Sequence, residues 1–567
     1  MKIALVQVNP TVGDIAGNGR LIEGAIAAGR GMGADVVVVP ELAVSGYPPK
    51  DLLLQRGFVA ACAAEVKRIG ERCTAGIAAV IGTPLPVEGD GDRAGGIANS
   101  VVVYRDGAMV DYYDKRLLPT YDVFDEDRYF AAGDRAVVVD IAGVKVGLAI
   151  CEDLWRGEDA GFASRYRGAA DPVEEAARAG AEVLVVPSAS PYVLGKHDRH
   201  VAILRMHAMR HGLSVCSVNQ VGGNDELIFD GRACVVDARG AVVAQAKAFD
   251  EDVLVVEVGG SVAEAASLPA DLGPEGNVVE ALTLGVRDYL RKTGFRKAVI
   301  GLSGGIDSAV TAAIAVKALG AENVLGVAMP SVYSSGHSVE DALELAARLG
   351  MRCEVAAIEG GHAALRAAVD PVFGAIGERK LGERLPDVAD ENLQSRVRGT
   401  MLMTVSNRTG AMVLTTGNKS ELAVGYCTLY GDMNGGLAVL SDVPKTMVYR
   451  IARWMNERWR ECGFGGEPIP QRSIDKPPSA ELAPGQVDAD SLPAYEVLDA
   501  IVEMHVEQRL NAAEIVERTG FGAELVERLV RLMDRNEYKR KQAATGLKVT
   551  GVAFGSGRRM PIARGWW

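Results

Sequence analysis

Two groups of residues in this 567-residue chain have types and spacings suited to chemistry. One is the loop Ser303-Gly304-Gly305-Ile306-Asp307-Ser308, which follows an apolar run at 298–302 and precedes an alanine-rich run at 309–319. That order predicts strand, tight loop and helix. A loop of this kind offers unpaired backbone N–H groups and a helix dipole to an anion. Glycine lets an oxyanion reach the backbone, and serine hydroxyls add donors. Asp307 would repel a phosphate unless a divalent cation lay between them, and hard oxygen ligands suit magnesium. No G-x4-G-K-[ST] string is present, so the loop is not a Walker A motif.

The other group is Glu41, Lys115 and Cys151. Glu41 follows Val-Val-Val-Val-Pro, Lys115 lies in Tyr-Asp-Lys-Arg-Leu-Leu-Pro, and Cys151 opens Cys-Glu-Asp-Leu-Trp. A thiolate attacks amides and nitriles well, but a free thiol needs a base or a cation beside it. Glu41 could take the thiol proton, and Lys115 could stabilise a tetrahedral oxyanion. Taken singly, a cysteine after a strand is ordinary core and a Glu or Lys is an ordinary solvated face. The combination, in this order, is what points to chemistry. His197, His200, His207 and His211 draw the eye as possible zinc ligands, and the last two share a helix face. Without an H-E-x-x-H string they read as a solvated or hydrogen-bonded helix. Cys62, Cys73, Cys216 and Cys234 read as core.

The elements that must carry these groups follow from composition and periodicity. The chain is too long for one ordinary domain. With 48% hydrophobic and 24% charged residues it is globular, and a net charge of −13 argues against a nucleic-acid partner. Eight cysteines without a C-x-x-C pair fit a reducing compartment rather than a disulfide or structural zinc framework. The N-terminus lacks the apolar core of a signal peptide, and the longest apolar region is broken by Asp307 and Lys317. A cytoplasmic protein with no membrane contact is expected. Valine-rich strands at 3–7, 35–41, 77–82, 100–105, 136–141, 144–150, 183–186, 214–219, 232–237 and 253–258 are expected. Helices at 18–30, 174–180 and 201–211 separate some of them, an α/β pattern of helices packed on a sheet. A domain at 1–258 and a Gly/Ser/Pro-bearing linker at 259–276 lead into a second α/β domain at 277–567 with a helical tail.

The string Ser303–Ser308 resembles the pyrophosphate loop of the ATP pyrophosphatases, and Glu41, Lys115 and Cys151 resemble the triad of the nitrilase superfamily. Pro40-Glu41-Leu42, Gly46-Tyr47-Pro48-Pro49, Lys115-Arg116 and Cys151-Glu152-Asp153 carry the second likeness. The order of the halves resembles that of the glutamine-dependent NAD synthetases. So do Glu391-Asn392, Thr415-Thr416-Gly417-Asn418-Lys419-Ser420-Glu421, Asp442-Val-Pro-Lys445-Thr446, Lys476-Pro-Pro-Ser479 and Asn536-Glu-Tyr-Lys539.

The resemblance implies an N-terminal α-β-β-α sandwich followed by a Rossmann-like ATP-pyrophosphatase domain. It implies that glutamine hydrolysis at Cys151 supplies ammonia for ATP-dependent amidation of deamido-NAD through an acyl adenylate. It assigns glutamine binding to Tyr121, Glu126, Ser190 and Lys196, with Ser188 a weaker candidate. It assigns ATP to residues Gly301 to Ser308, Thr416 and Lys445, deamido-NAD to Asn392, Glu421 and Lys539, and magnesium to Asp307 and Glu421. Lys539 also reads as the basic end of a helix. A loop around Ser479 would close over the adenylate, and a homo-oligomer is expected. Cys427 stands where the family pattern has Ser or Thr, and 437–441 departs from it. The alternatives are an ATP pyrophosphatase acting on another carboxylate, a tRNA-modifying enzyme, for which clustered cysteines and a basic surface are missing, and a non-catalytic sensor.

Overall fold

In the strand Lys2–Gln7, Ile3 and Leu5 point to one side and Ala4 and Val6 to the other, and all four are buried. A strand buried on both faces needs a layer on each side, and the first compact unit, Met1–Asp271, supplies them. The computed structural model describes residues 1–87, 96–155, 166, 168–259 and 268–565. Residues 260–267 of the expected linker lie outside the described residues.

One sheet runs in the order Asp252–Glu257, Lys2–Gln7, Val36–Val38, Ala78–Pro86, Ile97–Arg105, Ala108–Asp114. The other runs Val242–Gln245, Cys234–Val236, Ser214–Asn219, Val183–Ser188, Val144–Leu148, Val138–Ile141. Ile3, Leu5, Val36 and Val38 of the first share one core with Val146, Leu148, Val183 and Val185 of the second, so the sheets pack face to face. Ala4 and Val37 face helices Ile15–Gly31 and Phe58–Cys73 through Ile22, Ile26, Val66 and Ile69. Leu184 and Val186 face helices Pro172–Arg178 and Lys196–His211 through Val173, Ala176, Leu204 and Ala208. The architecture is the α-β-β-α sandwich. Helix Phe58–Cys73 and strand Ala108–Asp114 escape the sequence reading. The helix does carry an apolar stripe, Cys62, Val66, Ile69 and Gly70, which the sequence reading passed over, whereas the strand is largely exposed at the sheet edge and carries no strong apolar period.

The second unit, Leu272–Trp567, is built on a parallel sheet. Its order is Arg352–Val355, Val324–Ala328, Ala298–Leu302, Met412–Thr415, Leu437–Ala438, Thr545–Gly546. The chain moves outward from Ala298–Leu302 in one direction and then returns to its other side at Met412–Thr415. The carboxyl ends of these two neighbours form a topological switch point, where open α/β sheets bind ligands. Helix Ile306–Leu319 starts three residues before the expected 309, which puts Asp307 in its first turn. Helix Gly273–Lys292 starts inside the stretch expected to link the domains, with Pro274 suited to a first helical turn. The surface helix Glu359–Ala375, which buries no residue, is also absent from the sequence reading. Helices Tyr495–Val502, Ala512–Thr519 and Ala523–Arg535 pack through Leu498, Ile501, Ile515, Leu529 and Met533. Among the described residues no helix is long and apolar enough to cross a membrane.

Candidate active sites

In the first unit, Glu41 follows strand Val36–Val38, Lys115 follows Ala108–Asp114, and Cys151 follows Val144–Leu148. All three stand beyond the carboxyl ends of strands. Glu41 and Lys115 are each 1% exposed. The Lys115 ammonium donates to Glu41 Oε1 at 2.7 Å and to Glu126 Oε1 at 2.8 Å. Asn99 Nδ2 also donates to Glu41 Oε1 at 2.7 Å, and the Ala189 N–H donates to Glu41 Oε2 at 2.8 Å. The Tyr47 hydroxyl donates to Glu126 Oε1 at 2.9 Å. Cys151 opens the short turn Cys151–Leu154 with φ of +44°, a backbone that residues with a Cβ rarely adopt and that clusters at functional sites.

One carboxylate ties these parts together. Asp153 Oδ2 accepts from the Ile150 N–H at 2.9 Å and the Tyr113 hydroxyl at 2.8 Å. Its Oδ1 accepts from the N–H groups of Leu117 and Arg116 at 2.9 and 3.1 Å. The turn bearing Cys151 and the segment bearing Lys115 are thereby held in one frame.

Burial pushes the Cys151 thiol well above its ordinary range, the Glu41 charge adds to the rise, and Lys115 opposes it. Burial works against the Lys115 charge, yet Glu126 and Glu41 outweigh it and hold the ammonium firmly protonated. Burial raises Glu126 to about 7 against the pull of Lys115. Glu152 is likewise raised to about 7 by burial, and Tyr121 donates to its Oε2 at 2.9 Å. Lys196 donates to Ser190 Oγ at 2.6 Å and to the Pro191 carbonyl at 3.1 Å.

In the second unit the loop closes on itself. Ser308 Oγ donates to the Gly305 carbonyl at 2.9 Å, and the Gly305 N–H donates to Ser303 Oγ at 3.2 Å. Gly304 has φ of +73°, and a Cβ there would stand 2.5 Å from the Ser338 carbonyl oxygen. Asp307 Oδ1 accepts from Asn418 Nδ2 at 2.9 Å, a contact between the two loops at the switch point. The Lys445 ammonium lies 2.5 Å from Asp307 Oδ2 and 3.3 Å from Glu421 Oε1. Burial raises Glu421 to about 8, with Lys445 opposing and Asp307 adding to the rise.

A cavity of about 270 Å³ opens over this cluster, lined by Ser303, Asp307, Thr416, Glu421, Lys445 and Glu481 among others. The segment at 476–482 forms part of its wall. Lys476 donates to Ser338 Oγ and Glu481 Oε1, each at 2.7 Å, which pins that segment beside the phosphate loop.

The sequence matches the carbon-nitrogen hydrolase family over residues 2–267 and the NAD synthase family over residues 278–543. It is 47% identical to the glutamine-dependent NAD(+) synthetase of Synechocystis sp., over 99% of this chain and 98% of that protein. It is 40% identical to the protein of the same name from Thermotoga maritima, over 99% of this chain and 98% of that one. The chain belongs to the glutamine-dependent NAD(+) synthetase family. Its structure is similar to that of the Acinetobacter baumannii glutamine-dependent NAD+ synthetase in complex with ADP, with TM-score 0.76, 38% identity, and 99% and 98% of the two chains covered.

For a synthetase of this family, the structure brings the expected residues together only in part. Glu41, Lys115 and Glu126 meet directly, with Cys151 in their electrostatic reach. Tyr121 joins them through Glu152, whereas Ser190 and Lys196 are bonded to each other. The loop residues other than Gly304 line the cavity with Thr416, Glu421 and Lys445, but Asn392 and Lys539 stand outside its lining. Those two brace the loop at 425–428. Lys539 donates to the Gly425 and Cys427 carbonyls, both at 2.8 Å, and Thr428 Oγ1 donates to Asn392 Oδ1 at 2.8 Å. Cys427 takes part there through its backbone carbonyl.

Sequence reasoning left Tyr47 and Asp153 without roles and passed over Asn99. A polar pair, Asn99-Ser100, inside the apolar strand Ile97–Arg105 was the available signal. Arg398 was also unassigned. It lines the cavity, donates to the Met329 carbonyl at 2.9 Å, and is lowered to about 10 by burial. The His207 ring nitrogen Nε2 lies 2.8 Å from the Leu154 carbonyl oxygen, and its ring stacks on His211. Among the described residues no group of three or more His, Cys, Asp or Glu gathers as a metal site.

Proposed function

We propose that the chain makes NAD from deamido-NAD, ATP and glutamine, with one half-reaction in each unit. The supporting observation is that two separate constellations occur in one chain collinear with the family from end to end. One is the buried Glu41–Lys115–Glu126 cluster beside Cys151; the other is the Asp307–Lys445–Glu421 cluster beside the phosphate loop.

In the first unit, the Cys151 thiol is neutral at rest, so attack needs a base at that moment. Glu41 takes the thiol proton as sulfur bonds to the carboxamide carbon of glutamine. Lys115 faces the oxygen on which negative charge develops. Collapse of that adduct breaks the C–N bond, and Glu41 returns its proton to the leaving ammonia. Water, deprotonated by Glu41, then cleaves the thioester to glutamate and free thiol. Tyr121, Glu126, Ser190 and Lys196 form the surroundings that hold glutamine. Glu126 acts closest to the chemistry, because it shares the Lys115 ammonium.

In the second unit, the ring carboxylate of deamido-NAD attacks the α-phosphorus of ATP. The bond to pyrophosphate breaks, and ammonia later displaces AMP from the adenylate. Residues Gly301 to Ser308 receive the pyrophosphate, Lys445 offsets its charge, and Thr416 contacts ATP from the cavity wall. Asn392, Glu421 and Lys539 are assigned to deamido-NAD by family resemblance. With Asp307, Glu421 and Lys445 ionised, the cluster carries one surplus negative charge on carboxylate oxygens, a donor set that fits magnesium shared with phosphates. Asp307 and Glu421 would hold that ion, and bound there it would neutralise phosphate charge. The segment at 476–482 shields the adenylate from water. All eight cysteines are free, which suits the reducing cytoplasm, and the family resemblance implies a homo-oligomer.

The test is NAD formation from deamido-NAD, ATP and magnesium, with glutamine or ammonium chloride, for the wild type and Cys151→Ala. The variant is expected to lose the glutamine reaction and keep the ammonium reaction. A wild type that makes no NAD from either nitrogen source refutes the substrate assignment.

A further inference from the structure

Lys445 enters the cavity from the first turn of helix Lys445–Glu457, whose N-cap is Pro444. Proline offers no side-chain acceptor to the orphan N–H groups of that turn. Their partners come from two other helices. The Lys445 N–H donates to Ser420 Oγ at 2.9 Å, and the Thr446 N–H donates to Asp499 Oδ2 at 2.9 Å. Thr446 Oγ1 donates to the same oxygen at 2.7 Å, and Ser420 Oγ donates to Asp499 Oδ1. One carboxylate thus joins the backbone that carries Lys445 to helix Lys419–Val424, which carries Glu421.

The far end of the lysine meets the same third helix. Asp499 lies on Tyr495–Val502, and Tyr495 stands one turn earlier on the same face. The Tyr495 ring centroid is 5.3 Å from the Lys445 ammonium, and its hydroxyl donates to Asp488 Oδ2 at 2.7 Å. Helix Tyr495–Val502 therefore grips Lys445 through its backbone and through its charged tip.

We propose that Asp499 is a positioning residue for Lys445: it caps helix Lys445–Glu457, binds Ser420, and so sets where the ammonium stands between Asp307 and Glu421. Asp499 is not part of the cavity wall, so it acts through Lys445 and not on substrate. The inference rests on the reading of Lys445 as the group that offsets charge on the departing pyrophosphate. Electrostatic help of that kind depends on placement, and a shift of about 1 Å can cost about 100-fold in rate.

The experiment uses the full chain with ammonium chloride as nitrogen source and measures kcat and the KM for ATP. Asp499→Ala is expected to lower kcat by about 10- to 100-fold with KM changed less than about twofold, the signature of an interaction realised in the transition state. Asp499→Asn keeps an acceptor for Thr446 and should recover kcat to within about fivefold of the wild type. Added to Lys445→Ala, the Asp499→Ala change should cost less than about twofold more, because the two residues act as one unit. An Asp499→Ala rate within about twofold of the wild type, or the same cost with and without Lys445, overturns the proposal. If Asp499→Ala does not fold, Ser420→Ala must show the same loss of kcat, and an unchanged rate overturns the proposal. A wild type inactive with ammonium refutes the assigned reaction instead, so the two failures are distinct.

Discussion

Glu41 and Glu126 accept hydrogen bonds from the same ammonium, that of Lys115, at 2.7 and 2.8 Å. Two buried carboxylates on one cation leave a surplus negative charge; burial raises Glu126 to about 7 against the pull of Lys115, and the Glu41 charge adds to the rise. Glu126→Gln keeps a partner for Tyr47 but removes that charge and frees Lys115 to lean on Glu41. Glutamine hydrolysis is expected to fall by about 10- to 100-fold, while the ammonium-driven rate stays within about twofold. Steady-state assays with the two nitrogen sources decide it, and wild-type glutamine turnover would remove Glu126 from the reaction.

The Asp307–Lys445–Glu421 cluster repeats that arrangement, since here too one ammonium serves two carboxylates, and these face a phosphate loop. Lys445→Met leaves both acids without a counter-ion. The pair sides are 17% and 19% exposed, so the loss of stability should lie near the lower end for broken buried pairs, about 3 kcal/mol. NAD formation should fall by at least about 100-fold with either nitrogen source. Adding Asp307→Asn should restore the melting temperature without restoring activity, as thermal melts and rate assays would show.

Glu421 gives the synthetase unit a pH signature. Its folded-state carboxyl is raised to about 8, so it keeps a proton that the unfolded chain has already released. Where the native state binds more protons, stability falls as pH rises. Relative to Glu421→Gln, the metal-free and nucleotide-free wild type should therefore lose stability from the ordinary carboxylate range up to about pH 8. Parallel melts of the two proteins across that window test the sign, and a difference that does not change with pH refutes it.

Gly304 combines φ of +73° with a Ser338 carbonyl oxygen 2.5 Å from where a Cβ would sit. Gly304→Ala is expected to destabilise the unit by about 1–3 kcal/mol and to raise the KM for ATP by about tenfold. Denaturant melts and ATP titrations measure the two effects. An alanine variant with unaltered ATP dependence would mean that the loop tolerates a different path.

The sequence by itself determined the reactive groups and the local frames that bear them. Val-Val-Val-Val before Pro40-Glu41, and an apolar run before Ser303 followed by an alanine-rich helix, are periodic signals confined to a few consecutive residues. A valine-rich strand flanked by turns is readable without its neighbours, because burial on both faces leaves no polar alternation. Edge and surface elements were not readable for the converse reason: strand Ala108–Asp114 and helix Glu359–Ala375 bury too little to impose a pattern. Tertiary structure alone decided which distant residues meet. The order of strands sets Asn418 against Asp307, and the order of the first sheet, with the turn Glu126–Arg128 folded back beside it, sets Glu126 and Glu41 on one ammonium. Asp153 and Asp499 look like ordinary polar residues in the sequence. Each becomes a joint between separate segments only because long-range packing brings several backbone N–H groups to one carboxylate or places two helix ends beside it. Such contacts depend on the three-dimensional path of the chain, which periodicity along the sequence does not encode.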